Sequence, residues 1–401
     1  MLEKQVIKEI TLIRSKIPFK DIGSNFSFGF TPIYQPGSLG HKTVLGIQIS
    51  TNAGLQGEYL SVAPSTFEQV QMIAPILIGQ NPLEREHFYN QAKAILRKTD
   101  RMGIGPIDIA LWDLAGKILN TSIAKLLGGY KEKLPAYAST YSADESADGL
   151  NSPEAYADFA QQCLEIGYKG FKIHGWTNGT IENDIKTMQK VRKKIGNKMQ
   201  LMLDPMCSYN TFSQALRVGQ ICDQENFYWY EDPLRDGGTS HNAYKLLREK
   251  IKTPLLQGEH LHLVEAHVDM AIANATDIFR ADPEYDGGIT GVMKIAHAAE
   301  AMGMDVELHP AGPAQRHCMA AIRNTNFYEM AMIHPKLPHN SSSPPLYLCD
   351  YSDELKSVDK NGNVLVPNGP GLGVLYDWKT IEKHSFQKIK FDTIQTTAMT
   401  W

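Results

Sequence analysis

The sequence predicts an α/β fold, a TIM-type (β/α) barrel carrying an α+β capping domain, and three observations lead there. From Leu134 to about Met330, strand-like and helix-like stretches alternate eight times, which favours a parallel barrel over an open sheet. Asp204, Glu231 and Glu259 each end a short apolar run and recur at separations of 27 and 28 residues, about one strand-plus-helix unit. The chain has 401 residues, more than the roughly 250 a barrel uses. The excess lies on both sides of the alternating region.

Residues 1–128 read as the α+β capping domain. Residues 5–14 and 43–50 (KTVLGIQI) alternate like half-buried antiparallel strands, and Asn52-Ala53-Gly54 turns the second into a stretch ending at Glu58. Between them IPFKDIGSNFSFGFTPIYQPGSLG has no sustained period and is expected to be a long surface loop acting as a lid. A single helix is expected from about Ile107 to Leu127, stopped by Gly128-Gly129. Asp108 and Asp113 fall near its first turns, where the helix dipole favours negative charge, and read as structural.

Residues 129–335 form the expected barrel, with strands beginning near 134, 170, 200, 227, 254, 278, 305 and 327. The seventh, DVELHP, has the weakest signal because its charges leave little apolar run. Residues 336–401 open on HPKLPHNSSSPPL and continue as short strands and turns that should return to the capping domain.

Bulk properties narrow the class. Hydrophobic content of 42% with 21% charged residues is globular, and a net charge of −4 argues against nucleic acid. No run is long enough to span a bilayer, and the N-terminus lacks the apolar stretch of a signal peptide. Five scattered cysteines without CxxC spacing suit a reducing cytoplasm.

Polar groups then mark successive strand ends. Lys172 and His174 share one side of the second strand. Asp204, Glu231 and Glu259 end the third to fifth, and Asp282, His309 and Glu329 belong to the sixth to eighth. Any one of them alone would pass for an N-cap, a turn residue or a surface ion-pair partner. Together they sit on the rim where barrels keep their active sites. Three carboxylates meeting there need a cation, and oxygen-only ligands suit a hard ion, Mg²⁺, one per subunit.

These motifs resemble the enolase superfamily, specifically its mandelate racemase-like group of acid-sugar dehydratases and racemases, over nearly the whole chain. GIGPIDIALWDLAGKILNTSIAKLLGG is similar to that family's N-terminal signature, ADPEYDGGITG and ELHP to its Asp–His pair, and PNGPGLG to its closing segment. The resemblance implies Asp204, Glu231 and Glu259 as metal ligands, His309 as a base oriented by Asp282, and Lys172 beside the substrate carboxylate. It also implies Glu329 as a strand-eight acid that donates a hydrogen bond if a raised pKa keeps its proton. Two departures stand out. Lys172-Ile173-His174 replaces the usual Lys-x-Lys, which makes His174 a second acid/base group or a hydroxyl partner, and Met206 stands where a substrate-binding Asn is common. Ser208, Tyr209 and His260 are the candidates to replace that Asn.

The chemistry so implied is removal of a proton α to a carboxylate, giving an enediolate stabilised by the metal. Loss of a β-hydroxyl then yields a 2-keto-3-deoxy sugar acid. Return of the proton on the opposite face would instead make the enzyme a racemase or epimerase. A muconate-type cycloisomerase is disfavoured because ADPEYD carries no Lys, and an inert ligand-binding homologue is the remaining alternative. The partner is a small carboxylate, with a homo-oligomer expected. Phe19, Lys20, Phe26, Phe28, Tyr34, Tyr137, Trp176, His260, Arg316 and His317 are the candidate substrate contacts.

Overall fold

The computed structural model describes residues 5–25, 31–176, 180–337 and 346–392. Phe26 and Phe28 lie outside these residues. The N-terminal text folds as β1 (Ile7–Asn25), β2 (Thr31–Thr51) and β3 (Gln56–Ser61). The expected lid loop is instead a long β-hairpin. Pairs such as Ile17 with Lys42, Phe19 with Gly40 and Ile22 with Tyr34 carry the ladder through it, with one irregularity at Asp21. A Gly- and Ser-rich stretch without apolar period still forms strands when a register-matched partner satisfies its backbone.

The expected single helix breaks in two, Ile104–Ile118 and Ile123–Leu126, at Asn120, whose φ is +48°. The first is buried on almost every face because it lies between the cap sheet and the barrel. Its aspartates are structural, but as clamps rather than dipole partners. Asp108 accepts from the Thr290 N–H and hydroxyl of a barrel helix, and Asp113 from the N–H groups of Glu58 and Leu372.

Eight parallel strands follow: β4 (Lys133–Thr140), β5 (Gly170–His174), β6 (Gln200–Asp204), β7 (Trp229–Glu231), β8 (Leu255–Gln257), β9 (Ile278–Ala281), β10 (Asp305–Leu308) and β11 (Tyr328–Ile333). They form one curled sheet in the order β10-β9-β8-β7-β6-β5-β4-β11. Among the described residues no ladder joins β10 to β11. A side chain closes that seam: Glu307, fully buried on β10, accepts from the N–H groups of Asn326 and Phe327, beside a Val306 N–H to Asn324 carbonyl bond of 2.9 Å. The charges that weakened the strand signal of DVELHP are thus the closure.

The C-terminal segment supplies β12 (Asn363–Leu365), antiparallel to β4, and β13 (Ser385–Asp392), which completes the cap sheet in the order β13-β1-β2-β3. The cap sheet is consequently covered on both faces. Ile10 and Leu12 face the main core, while Ile13 and Ile17 pack with Leu346, Tyr376 and Ile381.

Candidate active site

The strand ends deliver two layers of side chains to one point. In the upper layer Asp204 and His174 close β6 and β5, and Glu259, Asp282 and His309 follow the ends of β8, β9 and β10. Gly258 makes the β8 exit possible, because at φ +135° a Cβ there would lie 2.5 Å from the Arg280 carbonyl oxygen. A cavity of about 90 Å³ opens over this layer, lined by Lys172, His174, Asp204, Glu259, His309 and Glu329 and walled by Met206, Cys207, Pro310, Ala331 and Met332. A larger cavity of about 930 Å³ lies by the N-terminal end of β4 and meets none of these groups.

The lower layer comprises Lys172, Glu231, Arg280 and Glu329, each no more than 2% exposed. Lys172 and Glu329 sit within their strands, one step deeper than the rim. Lys172 Nζ lies 2.8 Å from Glu231, 3.0 Å from Glu329 and 3.3 Å from Asp204. Arg280, which sequence reasoning passed over, pairs with Glu231 at 2.9 Å and Glu259 at 3.4 Å and bonds Glu329. Its signal was present: a lone Arg inside the buried run IFRAD, two residues before Asp282, shares that residue's side of the strand.

These cations correct the expected role of Glu329. Burial alone would raise its pKa, but Arg280 and Lys172 outweigh burial and hold it well below the usual range. It is an ionised partner, with no proton to donate. Asp204 is likewise held ionised, burial being overcome by Lys172 and His174.

The two histidines are held differently. His309 Nδ1–H donates to Asp282 at 2.7 Å, and Asp282 also accepts the Glu284 N–H at 2.8 Å. Burial disfavours the imidazolium, yet Glu259 and Asp282 together raise the His309 pKa to about 9, above the near-neutral value expected. Cancelling the charge of Glu259 is what favours the neutral base. His174 faces an acceptor on each side, the Thr140 carbonyl at 2.5 Å and Asp204 at 2.8 Å.

The other candidates divide. His260 stands on the pocket rim beside Glu259 and Cys207. Phe19 is buried and Lys20 exposed on the cap hairpin, whereas Tyr34 reaches the barrel and stacks on His334 with ring centroids 4.6 Å apart. Tyr137 is sealed beneath the site against Trp229, and Trp176 turns its indole N–H to Thr187. Arg316 is committed to Asp353 and two carbonyls, His317 to Ala124 and Leu372, and Tyr209 to Asp184. Ser208 is buried outside the cavity lining. Of these candidates, His260 alone lines the pocket.

The donor set can be tested for a metal. Asp204 and Glu259 line the cavity, while Glu231 lies below, capped by Lys172 and Arg280. The ligand atoms of these three therefore do not meet as closely as those of Asp232, Glu259 and His260, which all fall within 4.8 Å of one another. Charge nevertheless fits: the buried carboxylates Asp204, Glu231 and Glu329 and the partly exposed Glu259 outnumber the permanent cations beside them, Lys172 and Arg280. Burial pushes Glu231 up to about 7 against both cations, the response of a carboxylate short of positive charge. A divalent ion would offset that excess of negative charge.

Comparison with known proteins agrees with this geometry. Residues 155–380 match the model described as enolase C-terminal domain-like, and residues 34–128 that of the mandelate racemase / muconate lactonizing enzyme N-terminal domain. The chain belongs to the enolase superfamily. Within that superfamily it is 28% identical over 347 residues to the arabinonate dehydratase of Saccharolobus solfataricus, covering 82% of this chain and 87% of that one. The structure of D-glucarate dehydratase from Agrobacterium tumefaciens complexed with magnesium superposes with a TM-score of 0.84 at 28% identity, over 95% of this chain and 99% of the other. L-Talarate dehydratase from Polaromonas sp. JS666, complexed with Mg and L-glucarate, gives 0.79 at 26% identity, over 97% and 100%.

Proposed function

We propose that this enzyme is a Mg²⁺-dependent acid-sugar dehydratase. The observation that carries the reading is His309: held at Nδ1 by Asp282, it lines the same cavity as a cluster in which carboxylates outnumber cations. Asp204, Glu231 and Glu259 would hold Mg²⁺, which supplies electrostatic stabilisation for the negative charge that grows on a substrate carboxylate. His309 Nε2 takes the α-proton, and Asp282 steadies the resulting imidazolium. Lys172 and Arg280 keep the lower carboxylates ionised and fixed, so the site need not reorganise as charge develops. In this reading His174, which lines the same cavity, is the acid for the departing β-hydroxyl, which leaves as water. The enol left behind tautomerises to the 2-keto-3-deoxy acid.

Racemisation or epimerisation through the same enediolate is the second reading, because both histidines line one cavity. The dehydratase names of the relatives reported above favour elimination. A screen of mono- and diacid sugars with Mg²⁺, following ketoacid formation and α-proton exchange in D₂O together, separates the two. Ketoacid from at least one acid sugar supports dehydration; exchange with inversion and no ketoacid would replace it by racemisation.

A further inference from the structure

The outer edge of the site holds donors that the Asp204–Glu231–Glu259 set leaves unused. Asp232, Glu259 and His260 converge with their ligand atoms all within 4.8 Å of one another. His260 Nε2 stands 3.6 Å from Glu259 Oε1 and 3.8 Å from Asp232 Oδ2, and Cys207 Sγ lies 3.3 Å from the same nitrogen. Glu259 turns its two oxygens to different neighbours, Oε2 to Arg280 and Oε1 to His260.

A second observation is independent of that clustering. Asp232 is 1% exposed, yet neither of its carboxylate oxygens has a hydrogen-bond partner. Gln257 is fully buried, and both its amide atoms also lack one. The two side chains flank one spot: a Cβ placed on Gly238 would lie 3.3 Å from Gln257 Oε1 and 3.4 Å from Asp232 Oδ1. An unpaired buried carboxylate is costly, and such orphaned atoms mark where an ion or its water belongs.

We infer that Asp232, Glu259 and His260 form a second divalent-cation site, for a borderline transition ion such as Zn²⁺ or Co²⁺. Imidazole beside carboxylate selects such an ion over Mg²⁺, which prefers oxygen alone. The site deepens the proposed function only in sharing Glu259 with it.

Co²⁺ reports both stoichiometry and ligand type. The full chain, stripped of metal and then given Mg²⁺, is titrated with Co²⁺ while bound metal and the visible spectrum are recorded. Two divalent ions per chain are expected. Asp232→Asn and His260→Gln should each weaken one of them at least tenfold, and Glu231→Gln should remove the other. His260 is 40% exposed at its side chain, so its variant tests the site without threatening the core. A single ion per chain, or a second one indifferent to both Asp232→Asn and His260→Gln, overturns the inference. Should no acid sugar turn over while the Co²⁺ pattern holds, the proposed function fails and this site stands.

Discussion

His309 and His174 face one cavity from opposite sides, and their surroundings give them different work. His309 has one ring nitrogen fixed by Asp282 and a side chain 28% exposed, so its other nitrogen is available to substrate. His174, 6% exposed at its side chain, has both nitrogens occupied by acceptors. On the proposed function, the first takes a proton and the second supplies one. That asymmetry suits elimination, where one face needs a base and the other an acid, better than a symmetric exchange between two equivalent bases.

The base side is also the better braced. The turn after β9 is pinned by Asp286, which accepts the Asp282 N–H at 2.7 Å, and by Glu284, which accepts the hydroxyls of Tyr59 and Ser61 from the cap sheet. Cap and barrel therefore jointly set the position of Asp282. The His174 side meets the cap through a ring contact, Tyr34 of the hairpin on His334, whose Nε2 pairs with Asp144 at 3.2 Å.

Experiments can break this contrast, beginning with the largest effect. Chelation of divalent metal should silence both histidines together, lowering turnover by about 10⁴-fold, since the charge stabilisation at stake is several kcal/mol; restoration by Mg²⁺ is the control. His309→Asn should lower both ketoacid formation and α-proton exchange by about 10³-fold, within the range of a lost general base. Normal exchange in that variant would sink the assignment. His174→Asn should split the two readouts, cutting ketoacid formation by about 10²-fold while exchange in D₂O persists. Equal loss of both would make the histidines equivalent and favour a racemase.

The smallest effect concerns the brace. Burial raises the Glu284 pKa to about 7 against its bonds from Ser61 and Tyr59. The folded chain thus holds a proton that the unfolded chain releases near pH 4.5, so this group's contribution to stability is full below pH 4.5 and declines as pH rises toward 7. Glu284→Gln should flatten that decline, by at most about 3 kcal/mol between pH 5 and 8 in urea unfolding. An unchanged slope would show that Glu284 is already ionised in the native protein.

Much of this was legible in the sequence because the period of the strands and the chemistry at their ends coincide. The eight barrel strands and the residues His309, Asp282, Asp204 and Glu259 could be placed from apolar runs ending in polar groups. What escaped depended on partners distant in sequence. The β1–β2 hairpin needed a register between residues such as Ile17 and Lys42, 25 apart, and the ionised state of Glu329 needed Arg280, 49 residues away. Depth was equally hidden: nothing in FYEM or GFKIH says that Glu329 and Lys172 lie a layer below the rim.

The seam between β10 and β11 has a further consequence. His309 leaves the end of one strand and Glu329 sits on the other, so the two flank a junction held, among the described residues, by Glu307 and a Val306 N–H to Asn324 carbonyl bond instead of a ladder. On the proposed function, ring closure at that junction keeps the base beside the anchored carboxylate layer, and hydrogen exchange at Asn326 and Phe327 should report the same opening that activity does.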